Sequence, residues 1–280
     1  MKRSLGAWAL VTAGVVALAA GCTSSHPAAA PTASASAPAG PASSSPASAS
    51  PVSSSPVGSP TASAAAPGSA AAVVAASLAA LKTGTAVHVN ISTTVANGGI
   101  TYSDDAAASS GRQYITLPGG GTVTIVYVGG VGYVQGNAQG LAELMDLPSS
   151  QAQSLAGEWI AVHPGESLGT SSYADIVAGI TLSSVASEIT PAGPLTLNGQ
   201  PTIAGQRAIA VLGRVPASQQ LPASARLTFD VAADGSRPLR ETVVATGYTS
   251  TTIFSDWGEP LSLSAPAHTV APAASPPSLD

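Results

Sequence analysis

The stretch TAVHVNISTTVANGGI, residues 85–100, decides the fold class. Val87, Val89 and Ile91 alternate with His88, Asn90 and Ser92, the period of two expected of a strand with one buried face. Asn97-Gly98 follows, a pair suited to a two-residue hairpin because its tight turn needs positive φ at both central positions. A strand that ends in such a turn has an antiparallel neighbour, so the sheet grows by meander and not by crossover.

Downstream, RQYITL (112–117), TVTIVYV (122–128) and VGYVQG (131–136) read as further short strands, joined by PGGG (118–121) and GGVG (129–132). Upstream, AAAVVAASLAALK (70–82) has Val74, Leu78 and Leu81 at three- and four-residue spacing and then Gly84, which predicts a helix and its stop. Helical signals return after residue 136. Asn137 caps AQGLAELM, Ser149 after Pro148 opens a helix stopped by Gly157, and Ser172 with Asp175 forms a capping box ahead of YADIVAGI. Strands then resume: LTLNGQPTI (195–203) with a second Asn-Gly hairpin, AIAVLGRV (208–215), ARLTFDV (225–231), a turn at Asp234-Gly235, LRETVVAT (239–246) and TSTTIFSDW (249–257). In ARLTFDV, Leu227, Phe229 and Val231 oppose Arg226, Thr228 and Asp230. Strands, then helices, then hairpin-linked strands predict an α+β domain: one twisted antiparallel sheet with helices on one face. The inner face is then either a filled core or the wall of an apolar cavity, and the pattern leaves both open.

The two ends of the chain have other textures. Lys2 and Arg3 precede the apolar run SLGAWALVTAGVVALAA, which stops in small residues just before Cys22, the only cysteine. That is the layout of a bacterial secretory signal, and the run is short for a stable membrane span. LAAGC (18–22) resembles the lipobox of bacterial lipoproteins, with Ala19 where leucine is usual and Leu18 one place earlier. The resemblance implies cleavage after a signal peptide of residues 1–21 and acylation of Cys22. It also resolves the oddity of a lone thiol in an exported protein. Two or three acyl chains suffice for stable anchoring, where one binds only marginally.

From residue 23 to 69 the chain is almost wholly Ala, Ser, Pro, Thr and Gly, without a charged side chain. Such a segment offers no large apolar surface to offset the entropy of ordering, so it reads as a tether, about 140 Å long if fully extended. The expected organisation is a leader (1–21), an acylated Cys22 with its tether (22–69), a folded domain (70–268) and a disordered tail (269–280).

Without Lys2 and Arg3, 7 of the 9 basic residues remain against 14 acidic ones, a net charge near −7. Nothing here would neutralise phosphates, which argues against nucleic acid and against electrostatic docking on anionic lipid. Membrane association is left to the anchor.

Motifs that carry chemistry are weak. GESLG (165–169) matches the G-x-S-x-G elbow of serine hydrolases, with Asp256 and His268 in the right order. That elbow needs a parallel strand entering a turn and a helix, whereas His163-Pro164 interrupts the entry and the preceding strands are hairpin-linked. The bland reading, a turn after a strand, is preferred. His26, His88, His163 and His268 show no metal-ligand spacing. Asp104-Asp105 reads as a solvated turn, and the glycine-rich turns lack the lysine of a phosphate loop. No enzyme, cofactor or metal is expected.

DVAADGSRPLRETVV (230–244) followed by TTIFSDWGEPLSLSAP (251–266), with VGYVQGNAQGLAEL (131–144) and GEWIAV (157–162), resembles the LppX/LprAFG-type lipoprotein family of the actinobacterial envelope. The likeness runs from about residue 70 to 267. It implies a curved antiparallel half-barrel with helices on its concave face, similar to LolA-type lipoprotein carriers, and an apolar cavity for a lipid or glycolipid. Val89, Ile125, Tyr127, Leu144, Ile176, Leu227 and Phe229 would line that cavity. The place implied is the outer face of the cytoplasmic membrane. The alternative is a non-carrier envelope module, a sensor or protein-interaction partner with a filled core.

Overall fold

A computed structural model describes residues 68–96, 98–189, 191–216, 221 and 224–272. The expected leader, Cys22, the tether up to residue 67, Asn97 and residues 273–280 lie outside the described residues.

The elements begin with α1 (Ala70–Thr83), β1 (Ala86–Val95), β2 (Gly98–Ala107), β3 (Gly111–Thr116), β4 (Thr122–Val128) and β5 (Val131–Gly136). A helical middle follows: α2 (Ala138–Met145), α3 (Ser149–Leu155), β6 (Ile160–Val162), β7 (Ser167–Leu168), β8 (Ser171–Ser172), α4 (Tyr173–Ile176) and α5 (Leu182–Glu188). The chain ends in β9 (Ala192–Leu197), β10 (Thr202–Ile203), β11 (Gln206–Arg214), β12 (Arg226–Ala232), β13 (Pro238–Ala245) and β14 (Tyr248–Ser255).

Twelve strands of the described residues form one sheet in the order β10-β11-β12-β13-β14-β1-β2-β3-β4-β5-β6, with β9 also on β11. Neighbouring strands are antiparallel, and the middle of the sheet is the pairing of β1 with β14, His88 opposite Ser255 through Val95 opposite Tyr248. Two meanders distant in sequence are thus zipped together. The sheet curves as a half-barrel that does not close, and the helices cover its inner face. The α+β half-barrel expected from the residues and the resemblance is the fold observed.

Local chemistry accounts for most boundaries. The hairpin expected after β1 forms, but Val95 faces Gly98, so the two loop residues are 96 and 97 and Gly98, at φ 131°, opens β2 instead of sitting in the turn. Asn137 Oδ1 accepts from the Gly140 N–H at 2.8 Å and from the Thr122 N–H at 3.1 Å, capping α2 and tying it to the start of β4. The Ser172–Asp175 capping box forms, but α4 is a single turn because Gly179, at φ 73°, turns the chain away.

Four expectations need correction. Asn198-Gly199 is not a hairpin tip: β9 and β10 both pair with β11, and the tight turn is Ala204-Gly205, both at positive φ. A further helix, α5, follows Thr181, whose side chain accepts from the Ser184 N–H; serine at the third position stands where a carboxylate usually signals the box. Asp104 and Asp105 lie within β2 and not in a turn, since they continue an alternation in which Ile100, Asp104 and Ala106 are buried. Val270, assigned to a disordered tail, bridges β6: its N–H donates to the Trp159 carbonyl at 2.8 Å and its carbonyl accepts from the Ala161 N–H at 3.0 Å. β6 is otherwise an edge whose backbone groups seek partners.

The core has two parts. In the first, Val74 and Leu81 of α1 and Leu182 and Val185 of α5 pack on Val87, Val89, Leu227, Phe229 and Phe254. In the second, Leu141, Leu144 and Met145 of α2 pack on Ile115, Val123, Ile125, Val134 and Ile160. Tyr102 touches both.

Candidate functional site

Between the sheet and the helices lies an open cleft whose enclosed space is about 40 Å³. Its sheet wall is Tyr102 of β2, Gln113 and Ile115 of β3, and Ile125 of β4; Leu144 and Met145 of α2 face them. Asp175, Ala178, Gly179 and Glu188 complete the lining.

The segment 177–181 is held against the sheet by two features. Ala107 and Thr181 form a parallel bridge. Gly111 lies directly under Ile180, and a Cβ at Gly111 would collide with the Ile180 carbonyl oxygen and crowd its Cγ2 at 2.6 Å. Glycine here serves close approach of two backbones.

The structure brings two of the proposed lining residues, Ile125 and Leu144, together on the cleft wall. Ile176 is buried in the same cluster beside the rim, and Tyr127 packs at the margin of that cluster. Val89, Leu227 and Phe229 belong to the other cluster, where α1 and α5 seal them, and do not line this cleft. Ile115, Met145, Tyr102 and Gln113 do line it and were not singled out beforehand. Continuing the inward alternation along ITYSDDAA and RQYIT would have found Tyr102 and Ile115.

The inner face also carries carboxyl groups that its apolar surroundings do not accommodate as ions. Asp104 is fully buried, and burial drives its carboxyl well above the usual range; the adjacent charge of Asp105 adds to this and the nearby Gln113 amide opposes it in part. Glu241, beside Phe229 and Thr252 in the register, is half-buried as a residue, but its Oε2 is sealed without a partner. Desolvation raises its pKa to about 7. Burial above all, with Asp104 and Tyr248 close by, raises Tyr102 above its ordinary value, so the phenol stays neutral. On the outer face the opposite holds. Burial works to raise Asp105, but His88 Nδ1 at 2.7 Å and Arg112 Nη2 at 2.5 Å outweigh it and hold the carboxyl below its ordinary value.

The geometry offers no hydrolase elbow. Ser167 opens β7, which turns directly into β8 with no helix between, and Glu166 is engaged by the His163 N–H at 2.7 Å. Among the described residues no group of three His, Cys, Asp or Glu side chains is placed to hold a metal ion.

Fold and cleft together define an open α+β half-barrel with an apolar, helix-covered cleft. No protein-family model and no curated protein sequence matches the chain. Among solved structures it is similar to the lipoprotein LppX of Mycobacterium tuberculosis, at 20% identity over 70% of this chain and 98% of that one, with a TM-score of 0.46. It is also similar to LprF of Mycobacterium bovis, at 16% identity over 72% of this chain and 100% of that one, TM-score 0.45. A LolA superfamily protein of Nitrosomonas europaea matches at 13% identity over 69% of this chain and 94% of that one, TM-score 0.25. LppX and LprF are of the kind that the residue patterns at 131–162 and 230–266 resemble.

Proposed function

We propose that this chain is an extracytoplasmic lipoprotein, held at the outer face of the cytoplasmic membrane by acyl chains on Cys22, that takes an apolar chain of a lipid or glycolipid into the sheet–helix cleft. The observation that carries the reading is the preformed cleft walled by Ile115, Ile125, Leu144 and Met145. Its wall is apolar with few polar groups, as small-molecule sites are, and its enclosed space of about 40 Å³ must widen to admit a chain. No covalent chemistry is required, because binding rests on apolar area removed from water.

Native mass spectrometry of the domain from Ala70 onward tests this. Lipid adducts are expected on the wild-type domain, and Leu144→Trp, which fills the cleft, should reduce their occupancy at least tenfold. A folded wild-type domain that carries no lipid and takes none from vesicles would leave the filled-core interaction module. That second reading draws on Val89, Leu227 and Phe229, which are sealed in a closed cluster.

A further inference from the structure

The sheet wall of the cleft ends at a side chain that belongs to both halves of the core. Tyr102 lines the cleft beside Ile115, and it is partly buried and packs against both hydrophobic clusters. The register gives its position: Ile115 of β3 stands opposite Tyr102 of β2, and Tyr102 stands opposite Ile91 of β1. Ile115 borders the cleft, whereas Ile91 is buried in the cluster that α1 and α5 cover. Along this row the cleft stops at one ring, with the next strand about 4.8 Å beyond it.

We propose that Tyr102 is the inner end wall of the cleft and sets the length of the apolar chain that the cleft accepts. The inference rests on the cleft being a binding site and adds to that reading a residue that selects among ligands. A chain that widens the cleft displaces the side that yields most easily. Opposite Tyr102 that side is Leu144 and Met145 of α2, and methionine, unbranched with three rotatable bonds, adapts to what it meets. A tyrosine ring has only two side-chain torsions and stands here between packed residues on both sides, so it holds its place. The chain then lies over Ile115 and Ile125, and its end meets the ring. Each methylene that leaves water strengthens binding about fourfold, and one that cannot pass the ring stays in water and adds nothing. Removing the ring would leave a largely apolar void that runs on from the cleft toward Ile91, and such voids stay dry and take up apolar ligands. The competing reading, a ring that only fills the core, predicts lost stability without a change in the preferred chain length.

The test uses the full chain from residue 22 with Cys22→Ser, and N-phenyl-1-naphthylamine as an uncharged fluorescent reporter of the cleft. The probes that displace it are 1-monoacylglycerols from octanoyl to myristoyl, each below its aggregation concentration. On the wild type the gain of about fourfold per methylene is expected to stop within the series. Tyr102→Ala should carry the gain on for about two methylenes or more, so that the myristoyl probe binds roughly tenfold or more tightly than to the wild type while the octanoyl probe stays within about threefold. Tyr102→Phe, which keeps the ring, should reproduce the wild-type profile. Tyr102→Leu removes the ring and keeps apolar packing, and it carries the same expectation if urea unfolding shows that the alanine variant does not fold. A wild-type gain that continues through the myristoyl probe, or a folded variant without the ring whose length profile matches the wild type, overturns the end wall and leaves the cleft as a site. Failure of the wild type to take up the reporter overturns the binding site itself, and the end wall with it.

Discussion

Glu241 shows what a single side chain can disclose. In LRETVVAT it reads as the polar half of an alternating strand, yet it pairs with Phe229 and Thr252 on the inner face, and Oε2 finds no partner there. Its folded pKa of about 7 stands above the ordinary 4.5, so the folded chain holds a proton that the unfolded chain has released. The stability linked to that proton is fully present below pH 4.5 and is lost as pH rises toward 7, on the order of 3 kcal/mol in all. Glu241→Gln should remove this dependence. The check is urea unfolding of both proteins from pH 4 to 8: the wild type weakens relative to the variant as pH rises and the difference levels off above pH 7, whereas parallel curves would show that the carboxyl is solvated. Asp104 gives the same lesson. Its alternation with Ile100 and Ala106 was in the sequence, but two adjacent aspartates resemble a turn, and hydrophobic patterning treats a carboxyl as an outward residue by default.

Elements were legible where local rules act alone. The 70–82 helix, the Asn137 cap, the Ser172–Asp175 box and the hairpin after Val95 follow from capping and turn chemistry within a few residues. α5 was missed because Ser184 replaces the carboxylate that marks a capping box, and β9 was misassigned because Asn198-Gly199 serves a sheet edge while Ala204-Gly205 makes the turn. The segment 177–181 is positioned by Gly111, a strand glycine whose role depends on a neighbour about 70 positions away and so cannot be read from its surroundings in the chain. Gly111→Ala should force that segment off β3. A loss of about 1–3 kcal/mol in urea unfolding is expected, with faster amide exchange around residues 177–181, since crowding of this kind strains the backbone. Unchanged stability would mean that the segment yields freely and does not brace the cleft.

For the molecule as a whole, tethering and folding are separate matters. Of the described residues, no helix is long and apolar enough to cross a membrane. Under the proposed function, the hold on the membrane rests on Cys22. Cys22→Ser should move the exported protein from the membrane fraction to the soluble one while its domain unfolds at the same urea concentration; persistence in the membrane fraction would overturn the lipidation reading. Period-two patterning, hairpin pairs and caps were enough to define an α+β antiparallel sheet, because those rules concern neighbours along the chain and the alternation of faces. What the tertiary structure alone decided is the division of the inner face. Val89, Leu227 and Phe229 share an inward alternation with Ile125, yet α1 and α5 close over the first three while Ile125 and Leu144 border a cleft. An inward position is a property of the strand, but whether it meets a helix or open space depends on where distant segments come to rest on the sheet.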